Sequence, residues 1–453
     1  MTDDLSKPNS GLMDKFLGDT TSGRLISIIL YVFFICYMIA MIVTTQHYPK
    51  GDEGFYISMT HNLKDYGVFS EMAKGNPVGF TIPLLLLSSF GIETRLAGEI
   101  LSLLSTIAVF FGIRYIAKKV FGLSGAYLQL ALITCLLVIS SVKDYWFAGS
   151  DNFYTAIFIW LLVYLWKSVE LWSPLKSFIL AGALISATAL IRPLTLLLVV
   201  SCIGAMIFIS FFNKANAGKK FIAIVVFIVA FGLVFIFQQY PSLKVNKALA
   251  FERKIPDDTL TYRRKAPDTV KSSWTQRLAL TEVLLEQGKK KLHVGPVYPS
   301  WVQTDEYIAK NGQNSLPATA FQVPRWNFKY FIRHLLKGTL MVLYSFVRES
   351  GLIFIFPLIF LFRVSFKDYR KYAFFTVAML IYTGIYIFIA LNYVEPRDFF
   401  IPLLFTSIVG VALLKDMDRG GTKNVRIFAL LQLALVFINF LLNVRYNFAH
   451  GGL

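Results

Sequence analysis

Two adjacent carboxylates, Asp52 and Glu53, stand in the stretch "YPKGDEGFYISMTHNLKDYGVFS" (48–70), directly after an apolar run long enough to cross a bilayer. Like charges side by side near hydrocarbon are costly, and they raise the pKa of one of the two. A carboxylate raised toward neutrality is a competent general base, able to take a proton from a hydroxyl. The alternative is a plain helix start. Phe55, Met59, Leu63 and Tyr66 recur at helical spacing, so the pair would open an amphipathic helix on the membrane face, where the helix dipole favours anions. The cost of placing two carboxylates there favours the chemical reading.

Other charged residues could join such a site. Lys74 precedes "GNPVGF", and Asp144 and Asp151 flank "YWFAGS". Arg192-Pro193 interrupts what would be one very long apolar run, because proline breaks a helix and displaces the residue before it. Glu395, Arg397 and Asp398 form "EPRD". Ordinary interfacial charge is common at loop ends. It suffices for Asp144 and Asp398, and less well for Asp52, Asp151 and Arg397.

The elements that must position these residues follow from composition. The 453 residues are 56% hydrophobic and 16% charged, with 42 Phe. A soluble chain of this length could not hide that much apolar side chain, so a polytopic, all-α membrane protein is expected. A crossing helix takes roughly 20 mostly apolar residues. Eleven such runs fall near 25–45, 95–117, 123–141, 152–165, 177–191, 194–212, 221–238, 340–362, 372–391, 399–414 and 425–444, and 79–90 could be a further half-span. Lys and Arg gather in alternate short connections, such as Lys118-Lys119, Lys214 with Lys219-Lys220, and Lys367 with Arg370-Lys371. Positive loops face the cytoplasm, and so does the N-terminus with Lys7, Lys15 and Arg24. The first run has no small-x-small pattern after it and reads as an anchor, not a leader.

This orientation puts 46–94 and 239–339 outside. The chain divides into an N-terminal membrane module (1–238), a large basic outer loop (239–339) and a C-terminal membrane module (340–453). The loop holds 17 Lys or Arg against 8 Asp or Glu, including "RRK" at 263–265 and "KKK" at 289–291. Such a surface suits anionic partners, lipid phosphates or acidic glycans, and equally a solvated loop lying on anionic headgroups. No nucleic-acid partner is expected. Cys36, Cys135 and Cys202 all lie in apolar runs, so no outer disulfide is possible.

Several motifs read as bystanders. "DMD" at 416–418 fits a metal-binding Asp-x-Asp signature, but has no glycine-rich nucleotide fold around it. "TDEYIAKNG" at 304–312 echoes the acidic pair and reads as a solvated helix start. His293 reads as a surface histidine; with five histidines and no close pair, neither metal nor cofactor is expected. Arg348 and Glu349 form a charged pair within an apolar run, and the eighth span is expected to begin after them.

Taken in order, these segments resemble the GT-C superfamily of polyprenyl-phosphate-sugar-dependent glycosyltransferases, nearest the protein O-mannosyltransferase and lipid A aminoarabinose transferase branch, with O-antigen-modifying glucosyltransferases a further possibility. "GDEGFYISMTHNLKDYG" is similar to that branch's first outer loop, and "KGNPVGFTIPLLLLSSFG" to its Lys-Pro-Pro-Leu segment with one proline replaced by Asn76. "RLAGEILSLLSTIAVFFGIRYIAKKVFG", "AGSDNFYTAIFIWLL", "ALIRPLTLLLVV" and "EPRDFFIPLLF" resemble later segments. The likeness covers 25–200 and, more thinly, 390–405; 239–339 resembles nothing identified.

The resemblance implies a multi-pass protein of the bacterial inner membrane with its site facing the periplasm. The donor would be a sugar on undecaprenyl phosphate, and the acceptor lipopolysaccharide O-antigen or another envelope glycan. Asp52 would deprotonate the acceptor hydroxyl, Glu53 would share the proton or fix the helix, and Asp151 would orient the acceptor. Lys74 and Arg397, with Arg192 behind them, would hold the departing lipid phosphate. Two other readings stand beside it: a transporter or flippase of polyprenyl-linked sugars, and a polysaccharide polymerase. Transport favours internal repeats and midplane charges, and no repeat is found.

The Lys/Arg asymmetry gives the first testable outcome. A reporter fused after Pro241 is expected to be active only outside the cytoplasm, and one fused after Arg370 only inside. The opposite pattern would overturn the orientation.

Overall fold

The computed structural model describes residues 21–44, 53–76, 78–141, 149–172, 174–211, 216–247, 272, 274–287, 299–363, 370–390, 396–418 and 423–451. All regular elements among them are helices, with no strand. Within hydrocarbon every backbone N–H and C=O must be satisfied inside its own segment, which an α-helix does. The helices are α1 Thr21–Thr44, α2 Glu53–Ala73, α3 Val78–Ser89, α4 Thr94–Tyr115, α5 Gly125–Ser141, α6 Ser150–Leu171, α7 Leu175–Ala187, α8 Thr195–Phe211 and α9 Ala217–Asn246. Then come α10 Trp274–Glu286, α11 Trp301–Asn311, α12 Val323–Trp326, α13 Phe328–Ser350, α14 Ile355–Arg363, α15 Arg370–Ala390, α16 Phe400–Met417 and α17 Lys423–Gly451.

Among the described residues, seven stretches are long and apolar enough to cross a membrane: Thr94–Val120, Ser150–Leu171, Ala217–Val245, Phe328–Ile359, Arg370–Ile389, Phe400–Met417 and Asn424–Leu442. The chain is therefore an all-α membrane protein. Ten of the eleven expected spans fall on single helices and the one at 340–362 straddles α13 and α14, while the apolar helices at Gly125–Ser140, Leu175–Leu190 and Thr195–Phe211 are shorter than a full crossing takes. One large core joins the bundle, with α7 packed on α9, α8 on α15, α4 on α6 and α5 on α16. At its centre Phe375 and Phe405 stack with ring centroids 5.1 Å apart.

The expected start of the eighth span is corrected. Arg348 and Glu349 do not precede the helix; they lie in the last turn of α13, which begins at Phe328. Tyr330, His334, Gly338, Val342, Phe346 and Glu349 are buried at spacings of three and four, so one face runs through the charged pair into the core. Glu349 is buried with the Arg348 Nε 3.3 Å from its carboxylate. The helix breaks at Gly351, where φ is +70°. Gln432 of α17 repairs the break: its Oε1 accepts from the Leu352 N–H at 2.8 Å and its Nε2 donates to the Ser350 carbonyl at 2.6 Å. A Cβ at Gly351 would lie 2.5 Å from Gln432.

Outside the bundle, α10, α11 and α12 form small cores of their own, around Leu278, Val323 and Tyr330 and around Leu280, Ile308 and Leu316. The solvated helix start expected at 304 is also corrected. A Ser300–Gln303 capping box starts α11 at Trp301, Thr304 is buried, and the Asp305 carboxylate accepts from the Ser272 N–H at 2.8 Å. "RRK", "KKK" and His293 lie outside the described residues. Glu282 on α10 latches this unit to α13, pairing with Arg333 and lying 3.2 Å from the His334 Nε2. Burial pushes the Glu282 carboxyl up, but the His334 hydrogen bond and charge, with Arg333 and Lys337, outweigh it and hold it below 4.5.

A depressed carboxyl stabilises above its unfolded pKa, and that contribution is lost as pH falls through the folded value. The latch is thus expected to hold above pH 4.5 and to loosen below it. Limited proteolysis should cut between α10 and α13 faster at pH 3 than at pH 6 in the wild type. In Glu282→Gln the rate should be high at both; unchanged protection in that variant would deny the latch.

Candidate functional site

The site is assembled where helices end or break at one end of the bundle. Helix α2 starts at Glu53, one residue after Asp52, which itself lies outside the described residues. Its buried face is Tyr56, Met59, Thr60 and Leu63; Phe55 is half-buried and Tyr66 is exposed, so the amphipathic face is turned about one residue from that expected. Glu53 is 1% exposed. The Arg95 Nε of α4 lies 3.4 Å from Glu53 and 3.4 Å from Glu99, one cation shared by two buried carboxylates. The Tyr56 hydroxyl meets the Ser150 Oγ at 2.6 Å, which ties α2 to the first turn of α6, where Asp151 is the next residue.

Asp151 does not stand free for an acceptor. Its carboxylate is paired with Arg192, whose other guanidinium nitrogen lies 3.5 Å from Asp398. The Arg192-Pro193 interruption explains how an arginine reaches both. After α7 the chain tightens into a 3-10 turn, Thr188–Leu190, and the N–H groups of Ile191 and Arg192 both return to the Thr188 carbonyl. Pro193 stops the ladder, and α8 restarts at Thr195. Arg192 therefore projects from a gap between two helices. Asp398, in the turn Pro396–Phe399, is fixed from α15: the Tyr386 hydroxyl donates to its Oδ2 at 2.6 Å and the Tyr382 hydroxyl to its carbonyl at 2.6 Å. Gly79 lets α3 lie against the same gap, since a Cβ there would come within 2.9 Å of the Leu190 backbone.

Lys74 follows α2 and is held by the buried Glu71, Nζ to Oε1 at 2.7 Å, while the Asn76 Nδ2 donates to the other oxygen at 2.7 Å. Its side chain is 38% exposed and lies 5.0 Å from the Tyr66 ring. Asn76, Leu190, Pro193, Leu196, Phe235 and Gln238 border a cleft holding about 570 Å³ of unfilled space, part of it open to the outside.

The structure thus brings together Glu53 and Asp151 through Tyr56–Ser150, and Asp151 and Arg192 directly. Lys74 precedes Gly75, which lines the same cleft as Pro193. The Arg397 side chain, Glu395 and Asp144 lie outside the described residues. Asp398, set aside as interfacial charge, is an anchor of the cluster. Glu71, Arg95 and Glu99 were not singled out; their signal was a carboxylate or arginine on the apolar side of its own helix. The "DMD" residues are helix-end staples, with Tyr372 donating to Asp416 at 2.7 Å and Tyr127 donating to Asp418. Among the described residues no three metal-ligating side chains cluster. No family model matches the chain, and no curated protein matches it.

Removing Arg192 leaves two carboxylates facing each other with little water, a change of about 3–5 kcal/mol for a buried pair. Arg192→Met is expected to lose most folded protein in a detergent thermal-stability assay. Arg192→Met combined with Asp151→Asn and Asp398→Asn is expected to recover most of it. A stable single variant would show that the triad does not hold α6, the α7–α8 gap and the α16 entrance together.

Proposed function

We propose that the protein is an inverting glycosyltransferase that moves a sugar from undecaprenyl phosphate to an envelope glycan, in the manner of O-antigen modification, on the outer face of the bacterial inner membrane. One observation carries the reading. The helix opened by the acidic pair is bonded, through Tyr56 and Ser150, to the turn that presents Asp151 and the Arg192 cluster. Residues nearly 350 positions apart in the chain, Glu53 and Asp398, thus belong to one polar patch in an otherwise apolar bundle. Polar groups are expensive beside hydrocarbon, and function is the usual reason for gathering them there.

The chemistry follows from the parts. The acceptor oxygen attacks the anomeric carbon as its proton passes to Asp52. The bond from that carbon to the phosphate oxygen breaks, and the lipid monophosphate departs from the opposite face, which inverts the configuration. Glu53 is engaged by Arg95 and fixes the helix rather than sharing the proton. Arg192 is engaged by Asp151 and Asp398, so the partly exposed Lys74 is the described cation best placed to meet the phosphate, with Arg397 beside Asp398 its companion. The flippase reading has one observation in its favour, the buried Glu349 with its Oε2 unpartnered on the core face of an amphipathic helix.

Asp52→Asn separates the readings. Asn begins a helix as well as Asp does, whereas losing a general base costs about 10²–10⁴-fold in rate. Sugar transfer from undecaprenyl-phosphate glucose, galactose or mannose to O-antigen should fall by that factor, while lipid-donor binding and expression are kept. Full transfer would place the base elsewhere, and full lipid-linked sugar translocation without any transfer by the wild type would favour the flippase.

A further inference from the structure

The cleft beside the ion cluster is lined by amide side chains and, among the described residues, by no charged one. Gln238 of α9 is 6% exposed, and its Nε2 donates to the Ser186 carbonyl at 3.1 Å. That contact sets which way the amide faces, and Oε1 is left without a hydrogen-bond partner. An unpaired buried acceptor is costly, so it marks either strain or a donor that arrives from elsewhere. Gln238 lines the cleft, so the cleft is where a donor would come from.

Two further acceptors border the same space. Asn76, whose Nδ2 donates to Glu71, is an amide in the lining that also carries an acceptor oxygen. Pro193 has no N–H, so it cannot return the bond that the Ala189 carbonyl would receive in an unbroken helix, and Ala189 is in the lining. No carboxylate and no cation borders the cleft among the described residues. An anion finds no counter-cation there, and an ammonium finds no counter-anion. A neutral group rich in hydroxyl donors fits, and Lys74 stands one residue from the cleft wall at Gly75, where a phosphate attached to that group would emerge.

We infer that this cleft holds the sugar of the lipid-linked donor, with Gln238 Oε1 accepting a hydrogen bond from one of its hydroxyls. The inference rests on the transferase reading above and adds to it the group that recognises the sugar. Leu196 and Phe235 supply the apolar wall against which a sugar ring face packs.

The test is binding by the full chain in nanodiscs, with four probes: undecaprenyl phosphate bare, and bearing glucose, galactose or mannose. The wild type is expected to bind at least one glycosylated lipid about tenfold more tightly than the bare one, the worth of one good hydrogen bond to a buried acceptor. Gln238→Leu should abolish that preference and leave affinity for the bare lipid unchanged. Leu196→Trp, which fills the cleft without touching Gln238, should do the same and decides the matter if Gln238→Leu does not fold. A Gln238→Leu protein that keeps the preference overturns the inference. So does a wild type that binds all four lipids equally, and in that case the lipid-phosphate reading still stands. A wild type that binds none of the four overturns both.

Discussion

An arginine held between two carboxylates from distant parts of the chain is the interaction on which the site end of this bundle depends. Arg192 lies in the gap between α7 and α8, Asp151 in the first turn of α6, and Asp398 in the turn before α16. None of these could be buried singly, because an isolated charge beside hydrocarbon costs far more than packing returns. Buried together they fix where three helices end. The tyrosines at 382 and 386 extend the network to α15, and Thr195 joins it to Tyr154. Helix positions elsewhere rest on non-directional packing, which tolerates sliding; this network does not.

The sequence made the skeleton readable for a simple reason. A bilayer leaves a chain one economical solution, so the long apolar runs became helices, although α6, α9, α13 and α17 extend several residues or more beyond the expected ends. Proline made the α7–α8 gap equally legible, since its missing N–H breaks the ladder whatever surrounds it. The error at α13 has the opposite origin. A hydropathy reading treats Arg348 and Glu349 as a boundary, but α13 is amphipathic and the break comes only at Gly351, where Gln432 accepts and donates in place of the lost helical bonds. Nothing local marks residue 432 as the partner of residue 351.

The site was half legible by the same logic. Residue type and position at a helix end pointed to Asp151 and Arg192. Their mutual pairing did not show, because it depends on which helix ends meet. Asp398 looked like ordinary interfacial charge and is a structural anchor. Glu71 escaped notice and Asn76 was read only as a replaced proline, although Glu71 is wholly buried and receives bonds from both Lys74 and Asn76. A buried carboxylate within five residues of two donors is a locally closed motif, and such motifs carry weak sequence signals.

Of the acidic pair, the described member is Glu53, and its surroundings bear on its neighbour. Glu53 shares Arg95 with Glu99, so two carboxylates compete for one guanidinium in a pocket almost closed to water. That arrangement holds the first turn of α2 against α4 and leaves an excess of negative charge behind it. An excess of negative charge disfavours another ionised carboxylate nearby, which is the condition a general base at Asp52 would exploit. Under the proposed transfer, the same excess would repel a lipid phosphate, which favours its approach from the side of Lys74 and the cleft rather than from the side of Arg95.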